Sequence, residues 1–478
     1  MTFAKTFQPT ATLRARFAAA LSTMYGREVP AYTTLVDVAT EVNTEAAGSA
    51  RLGGIDRVTA ERHGAIRVGT PAELAQVARI FRGFGMYPVG FYDLRDTGTV
   101  AVPVVSTAFR PIDEDELERN PFRVFTSMLT VDDDRFFSAD LRERLEQFLG
   151  ARTLFDDELL ALAERAADDA GLPGEDADRF VTLAAAAFEL SAEPTDRAWH
   201  DELALISAVA ADIGGVASTH INHLTPRVLD IDALYTRLQE RGLRMIDKIQ
   251  GPPRWRGPDV LLRQTSFRAL DEPRLFVGHD GEISPGTTRV RFGEVEQRGI
   301  ALTPAGRERY DELMAATDRA ARTGMSWQEA GCAVWEASDF PTDEAGLRRC
   351  GLAYFRYRVA DPARLPAGRA SLDALIDAGV LEAVPIVYED FLPRSAAGIF
   401  QSNLTGGGSV TADRDGSSYD IAWLAATLGC AVHVPEDLYA AQSDRSLRAC
   451  CRELGIDPAS ITSDHRPTEL DLETARAH

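Results

Sequence analysis

The stretch HGAIRVGTPAELAQVARIFRGFG, His63 to Gly85, decides how the first part of this chain folds. HGAIRVG reads as a short strand, on which alternate side chains share a face, so His63, Ala65 and Arg67 point the same way. Thr70 then offers a helix N-cap, Pro71 suits the first turn, and Gly83 and Gly85 close the helix. Beyond it, MYPVGFYDL and VAVPVVSTAF are rich in Val, Tyr and Phe and read as strands. Strand, helix, strand, strand is the outline of a small α+β module. A histidine and an arginine together on one short apolar strand are its chemical oddity.

Outward from this module, Thr10 to Tyr25 has apolar residues at helical spacing. From about Asp132 to Asp212 the chain becomes rich in Ala, Leu and Glu with a helical period, and its charge runs read as solvated helix faces. Strand texture returns at HINHLTPRVLDID, and Thr287 to Thr303 alternates as a half-buried strand would. PAGRERYDELMAATDRAART reads as a helix, and LAYFRYRV and AVPIVYEDFL as strands. TGGGSVTADRDGSS reads as a flexible loop and the last residues as a polar tail. This divides the chain into 1–131 (N-terminal helix and first core part), 132–212 (helical insertion), 213–405 (second core part) and 406–478 (loop, C-terminal helices and tail). No sequence repeat of 20–50 residues is evident, although the two βα-rich stretches invite structural pairing.

The whole chain sets bounds. Its 478 residues suffice for a large core, with 45% hydrophobic and 26% charged residues. A formal charge of −22 disfavours nucleic acid as the main partner, because a phosphate backbone would be repelled. Five cysteines, irregularly spaced, give neither a CxxC pair nor a zinc ribbon and read as reduced thiols. Without a signal-like start or a run of about 18 apolar residues, the expected location is the cytoplasm, with no membrane partner.

Three segments hold most of the chemically loaded residues: His63 with Arg67; His220 and His223 in HINHLTPR; and Glu294, Glu296 and Arg298 in FGEVEQRG. On an extended strand His220 and His223 face opposite ways, so one is expected as a ligand and the other as a support or core residue. A face carrying three charges is either an exposed, ion-paired strand or, if interior, a wet or metal-filled site. Two histidines and one carboxylate from separate strands form the triad that suits Fe(II) with a chelating substrate and O₂, though zinc accepts the same ligands.

ERHGAIRVGT, STAFRPID, NPFRVFTS, HINHLTPR, LLRQTSF, FGEVEQRGIALTP, YEDFLP and SAAGIFQSNL occur in the order found in the 2-oxoadipate dioxygenase/decarboxylase family, which the chain resembles from its N-terminal helix to about Leu454. The resemblance implies an α+β fold with a vicinal-oxygen-chelate-like β-sheet core holding Fe(II). The implied reaction converts 2-oxoadipate and O₂ to D-2-hydroxyglutarate and CO₂ in lysine breakdown. It implies metal ligands at His63, His223 and a glutamate placed at Glu296, with Glu294 on the same strand face as the alternative. Arg67 matches the family's specificity arginine, whose planar fork suits the far carboxylate of the substrate. His63 and His223, as metal ligands, also meet the substrate, and Arg394 and Ser395 are expected to contact it. Arg394 stands where the family carries valine; because the family contacts substrate there through the main chain, the change is expected to be harmless, and only an inward side chain would add a second cation and shift the preferred diacid. Arg110 and Arg123 could face the pocket but are expected in ion pairs, and Gln264 could contact substrate or hold a ligand in place, without being counted among the site residues. A zinc or manganese isomerase or lyase, and a non-catalytic dicarboxylate-binding metalloprotein, remain alternatives. Oligomeric state is left open.

Overall fold

The structure, a computed structural model, describes residues 6–46, 55–96, 101–289, 291–322, 324–366, 368, 370–392 and 418–461. Its strands are β1 Phe7–Pro9, β2 Arg62–Val68, β3 Tyr87–Asp93, β4 Val104–Arg110, β5 Arg123–Leu129, β6 Gly171–Pro173 and β7 Thr195–Asp196. They continue with β8 Ile221–Pro226, β9 Leu262–Phe267, β10 Glu272–Val277, β11 Ile283–Thr288, β12 Gly293–Arg298, β13 Phe355–Val359 and β14 Leu381–Pro385. The chain forms two compact units: one from 1–250, 263–297 and 390–434, the other from 251–262, 298–389 and 435–478.

The first unit is organised by a five-stranded sheet in the order β3-β4-β5-β2-β8. β2 runs parallel to β5 and antiparallel to β8, so it is covered by a neighbour on each side. The helix Pro71–Gly83 connects β2 to β3. Thr70 accepts from the Glu73 amide while the Glu73 carboxylate accepts from the Thr70 amide, closing a capping box. Its apolar face, with Leu74, Val77, Ile80 and Phe81 all nearly inaccessible, joins a core containing Phe17 and Phe84 stacked at 4.4 Å. Fully burying each such side chain stabilises the fold by roughly 2–3 kcal/mol.

Apart from the short helix Glu114–Arg119 before β5, β2 to β5 follow a strand-helix-strand-strand-strand order that recurs later in the same unit. β8 is followed by the helix Ile231–Glu240, the segment Met245–Gln250, β9, the inserted antiparallel pair β10–β11, and β12. That segment bridges β9 at Met245–Phe267 and Gln250–Gln264, β9 pairs β12, and β12 meets the end of β8 through a parallel Arg227–Glu296 bridge. The neighbour order therefore repeats, and antiparallel β2 and β8 join the two modules. Between the modules lie the helices Ala139–Ala151, Asp157–Asp168, Gly174–Ala186, Arg197–Ile206 and Ala208–Gly214, interrupted only by the very short β6 and β7.

The expectation of one half-buried strand over Thr287–Thr303 requires correction. β11 ends at Thr288 and β12 is a separate six-residue strand with every residue buried. Its charged residues have buried partners in place of water: Glu294 meets the two histidines, Glu296 meets Arg123, and Arg298 donates to the Tyr388 carbonyl.

In the second unit β13 and β14 form an antiparallel pair. Near the helices Pro304–Ala321 and Trp327–Ala337, fully buried Trp335 meets Trp255, Phe340 and Tyr310 edge-on at 5.2, 5.6 and 5.9 Å. Ile421–Leu428, in the first unit, and Pro435–Leu454, in the second, are helical; the loop expected at 406–417 and the tail from 462 lie outside the described residues. Among the described residues no helix is long and apolar enough to cross a membrane.

Candidate metal centre

Close approach of β2 and β8 creates the centre. Gly64 follows His63, and a Cβ there would come within 2.9 Å of the Ile221 side-chain methyl and 3.3 Å of that of Leu224, so a larger residue would make these side chains shift. A bulge in β8 sets the register: Ala65 faces His223 while Ile66 faces Ile221, leaving Asn222 as the extra residue. The His63 and His223 rings then meet edge-on, with centroids 5.4 Å apart. Phe391 covers the other side of His63 at 5.0 Å, and Phe292 covers His223 at 5.4 Å.

β12 brings the carboxylates. Glu294 lies 3.2 Å from His223 Nδ1 and 3.7 Å from His63 Nε2, and His63, His223 and Glu294 form a buried group able to hold one metal ion. Glu296, first choice in the sequence reading, lies instead 2.9 Å from His63 Nδ1 and 3.3 Å from the Arg123 guanidinium. The two glutamates share a strand face, but the strands around them give them different neighbours. Gln264 donates to Glu294 at 3.4 Å.

The donors fit a cation. Neither ring nitrogen of buried His223 makes a hydrogen bond among the described residues, a costly state for an imidazole unless a metal takes its lone pair. Burial pushes His223 well below its usual pKa, helped by His63 and Arg67, so the ring is held in the neutral form a metal requires. Burial would lower His63 too, but Glu296 and Glu294 outweigh it and the pKa rises. Burial raises Glu294, opposed by His63.

Arg67 is buried on the same strand as His63, and its guanidinium contacts Asp212 at 2.5 Å. Asp212 also accepts from Asn222 at 2.9 Å and lies 3.3 Å from His220 Nε2. Burial would raise the Asp212 pKa, but His220 and Arg67 outweigh it, and the carboxylate stays charged. His220 thus belongs to the support of Arg67 and not to the metal group. Asp212 and Asn222 were missed in the sequence; an aspartate ending a helical stretch carries no local mark of this role. Arg110 makes a two-pronged pair with Asp390, and Arg123 pairs with Glu61. Arg394 and Ser395 lie outside the described residues.

Fold and site together define a class: a mixed α/β protein with a buried candidate metal centre of two histidines and a carboxylate. The model of the 2-oxoadipate dioxygenase/decarboxylase family matches residues 17–403. A relative of that name from Mycobacterium tuberculosis is 56% identical over 443 residues, covering 92% of this chain and 98% of its own. Another from Pseudomonas putida is 43% identical over 467 residues, covering 93% and 97%. The crystal structure of the hydroxyglutarate synthase from Pseudomonas putida in complex with 2-oxoadipate superposes with a TM-score of 0.81 and 40% identity, over 94% of this chain and 99% of that one. The chain belongs to the 2-oxoadipate dioxygenase/decarboxylase family, and it is an enzyme.

Proposed function

We propose that this enzyme is an Fe(II)-dependent dioxygenase converting 2-oxoadipate and O₂ to D-2-hydroxyglutarate and CO₂, a step of lysine breakdown, on a vicinal-oxygen-chelate type of core. The observation that carries the reading is the buried His63–His223–Glu294 group with Arg67 on the same strand as its first histidine. The relative from Pseudomonas putida with 2-oxoadipate bound supports that diacid as substrate. Ferrous iron held by these three side chains would supply activation of O₂ toward a chelated 2-oxo acid.

The protein's own residues bind, orient and exclude. His63, His223 and Glu294 are the ligands in this reading, displacing Glu296 from that role. Arg67 grips the substrate carboxylate farthest from the 2-oxo group, and Asp212 aims the guanidinium. The Phe391 and Phe292 rings beside the two histidines keep bulk water from the reacting end. The reaction balances with both atoms of O₂ retained in the hydroxy acid, one in its new carboxylate and one in its hydroxyl, while the original carboxylate leaves as CO₂.

The test is oxygen uptake by anaerobically iron-loaded protein given 2-oxoadipate in ¹⁸O₂, with products read by mass spectrometry. Uptake matched by CO₂ release and doubly labelled 2-hydroxyglutarate is expected. No uptake with any 2-oxo diacid, from protein shown to hold iron, would overturn the assignment.

A further inference from the structure

Beneath the metal group lies a second cluster that the reaction does not use directly. Glu61, Arg123, Arg227 and Glu296 are each no more than 1% exposed, and their formal charges cancel. Glu61 joins the two arginines, to Arg123 at 2.7 Å and to Arg227 at 2.9 Å. Arg123 continues to Glu296 at 3.3 Å, and the Glu296 carboxylate lies 2.9 Å from His63 Nδ1, a close charge contact and not an aligned hydrogen bond. The β2–β5 register sets Arg123 directly beside His63, and the parallel bridge sets Glu296 beside Arg227.

Such a cluster is a poor way to gain stability. Four charges removed from water cost several kcal/mol each before pairing, and well-packed apolar replacements often do as well or better. What it does provide is placement. A histidine that gives one ring nitrogen to a metal is fixed by what holds the other, and a carboxylate there also raises its strength as a ligand.

We propose that Arg123 is a positioning residue: it holds Glu296, and through Glu296 the Nδ1 side of His63, so that Nε2 is presented to the metal beside Glu294. The inference rests on the reading of His63 and Glu294 as ligands. It adds that the strength of the site depends on a guanidinium that touches neither metal nor substrate.

The experiment measures the affinity of the full-length folded protein for Co(II) alone, together with the visible absorption of the bound ion. Glu296→Gln is expected to weaken binding about 10–100-fold, and Arg123→Lys about 10-fold with a shifted absorption band. Arg152→Lys, which disturbs the Arg152–Glu73 pair elsewhere in the same unit, should lower the melting temperature but leave affinity and spectrum unchanged. Wild-type affinity in both Glu296→Gln and Arg123→Lys overturns the proposal. So does an affinity loss in all three variants that merely follows their loss of stability. Should Glu296→Gln fail to fold, Arg123→Lys against Arg152→Lys decides. His63→Ala and Glu294→Ala are measured alongside. If they bind Co(II) like wild type, the ligand reading itself fails; if they lose binding while Arg123→Lys keeps it, only the positioning role falls.

Discussion

The two modules of the first unit begin alike and end differently. β2 carries His63 and, four residues on, Arg67; β8 carries His223, and Arg227 follows at the same interval. On the last strands the match fails. Register sets Ser127 beside Arg67 and Glu296 beside Arg227, which places Phe125 where the second module has Glu294. In the proposed centre one module would therefore supply a single ligand, His63, and the other two, His223 and Glu294. Two side chains on one strand make a duplicated frame asymmetric, and a group of three ligands, not four, is what leaves room for a substrate.

Removing a member of the three breaks that arrangement most severely. Glu294→Ala is expected to abolish turnover, by more than about 1,000-fold, with iron lost on dialysis and counted by metal analysis. Phe125→Glu would restore the symmetry. A carboxylate beside the Phe391 ring, which Phe125 and His63 share, is expected to keep metal in the protein yet lower turnover at least about 100-fold by filling an open position. Phe125→Leu, which keeps the site apolar, should stay within about tenfold of wild type; the same deficit in both variants would mean that packing, not ligation, is at stake.

The arginine of the first module sharpens the comparison. Arg67→Lys should raise the KM for 2-oxoadipate by about 10–100-fold with iron content unchanged, because a point charge cannot replace a planar fork. Steady-state kinetics on iron-loaded protein checks this, and an unchanged KM would remove Arg67 from substrate binding.

The smallest effect concerns acid. Burial pushes His220 down to about 4, against an ordinary 6.5, with Asp212 opposing. The unfolded chain binds the proton first, so stability from this residue is complete above pH 6.5 and declines as pH falls toward 4. At pH 5.5 the loss is about 1 kcal/mol. Urea unfolding at pH 7.5 and 5.5 should show a smaller drop for His220→Asn than for wild type.

How far the sequence reveals this depends on how local the signal is. β2 and its helix are legible because the strand is short and apolar and Thr70, Pro71 and Glu73 mark the helix start. His63 and His223 stand out because histidines are rare here and occur near arginines. The choice between Glu294 and Glu296 is not legible, since strand periodicity treats them alike. What separates them is their neighbours, Arg123 from β5 against Glu296 and His223 from β8 against Glu294, contacts between residues far apart in the chain. Glu61, Arg123 and Asp212 look like ordinary surface charges in a chain with 73 acidic residues, until the fold buries them. The duplication is equally faint: only the four-residue step from histidine to arginine survives as a sequence trace.

The extra residue in β8 carries a consequence for how this segment tolerates change in length. Without the bulge the ladder to β2 would run regularly, and one side of the strand would exchange faces with the other. His223 and Asn222, which now serve the metal group and the Asp212 cluster, could not both keep their places. Single-residue insertions and deletions between Ile221 and Leu224 should therefore be more harmful than most substitutions there, and gaps in this segment should be rare among enzymes that keep the same centre.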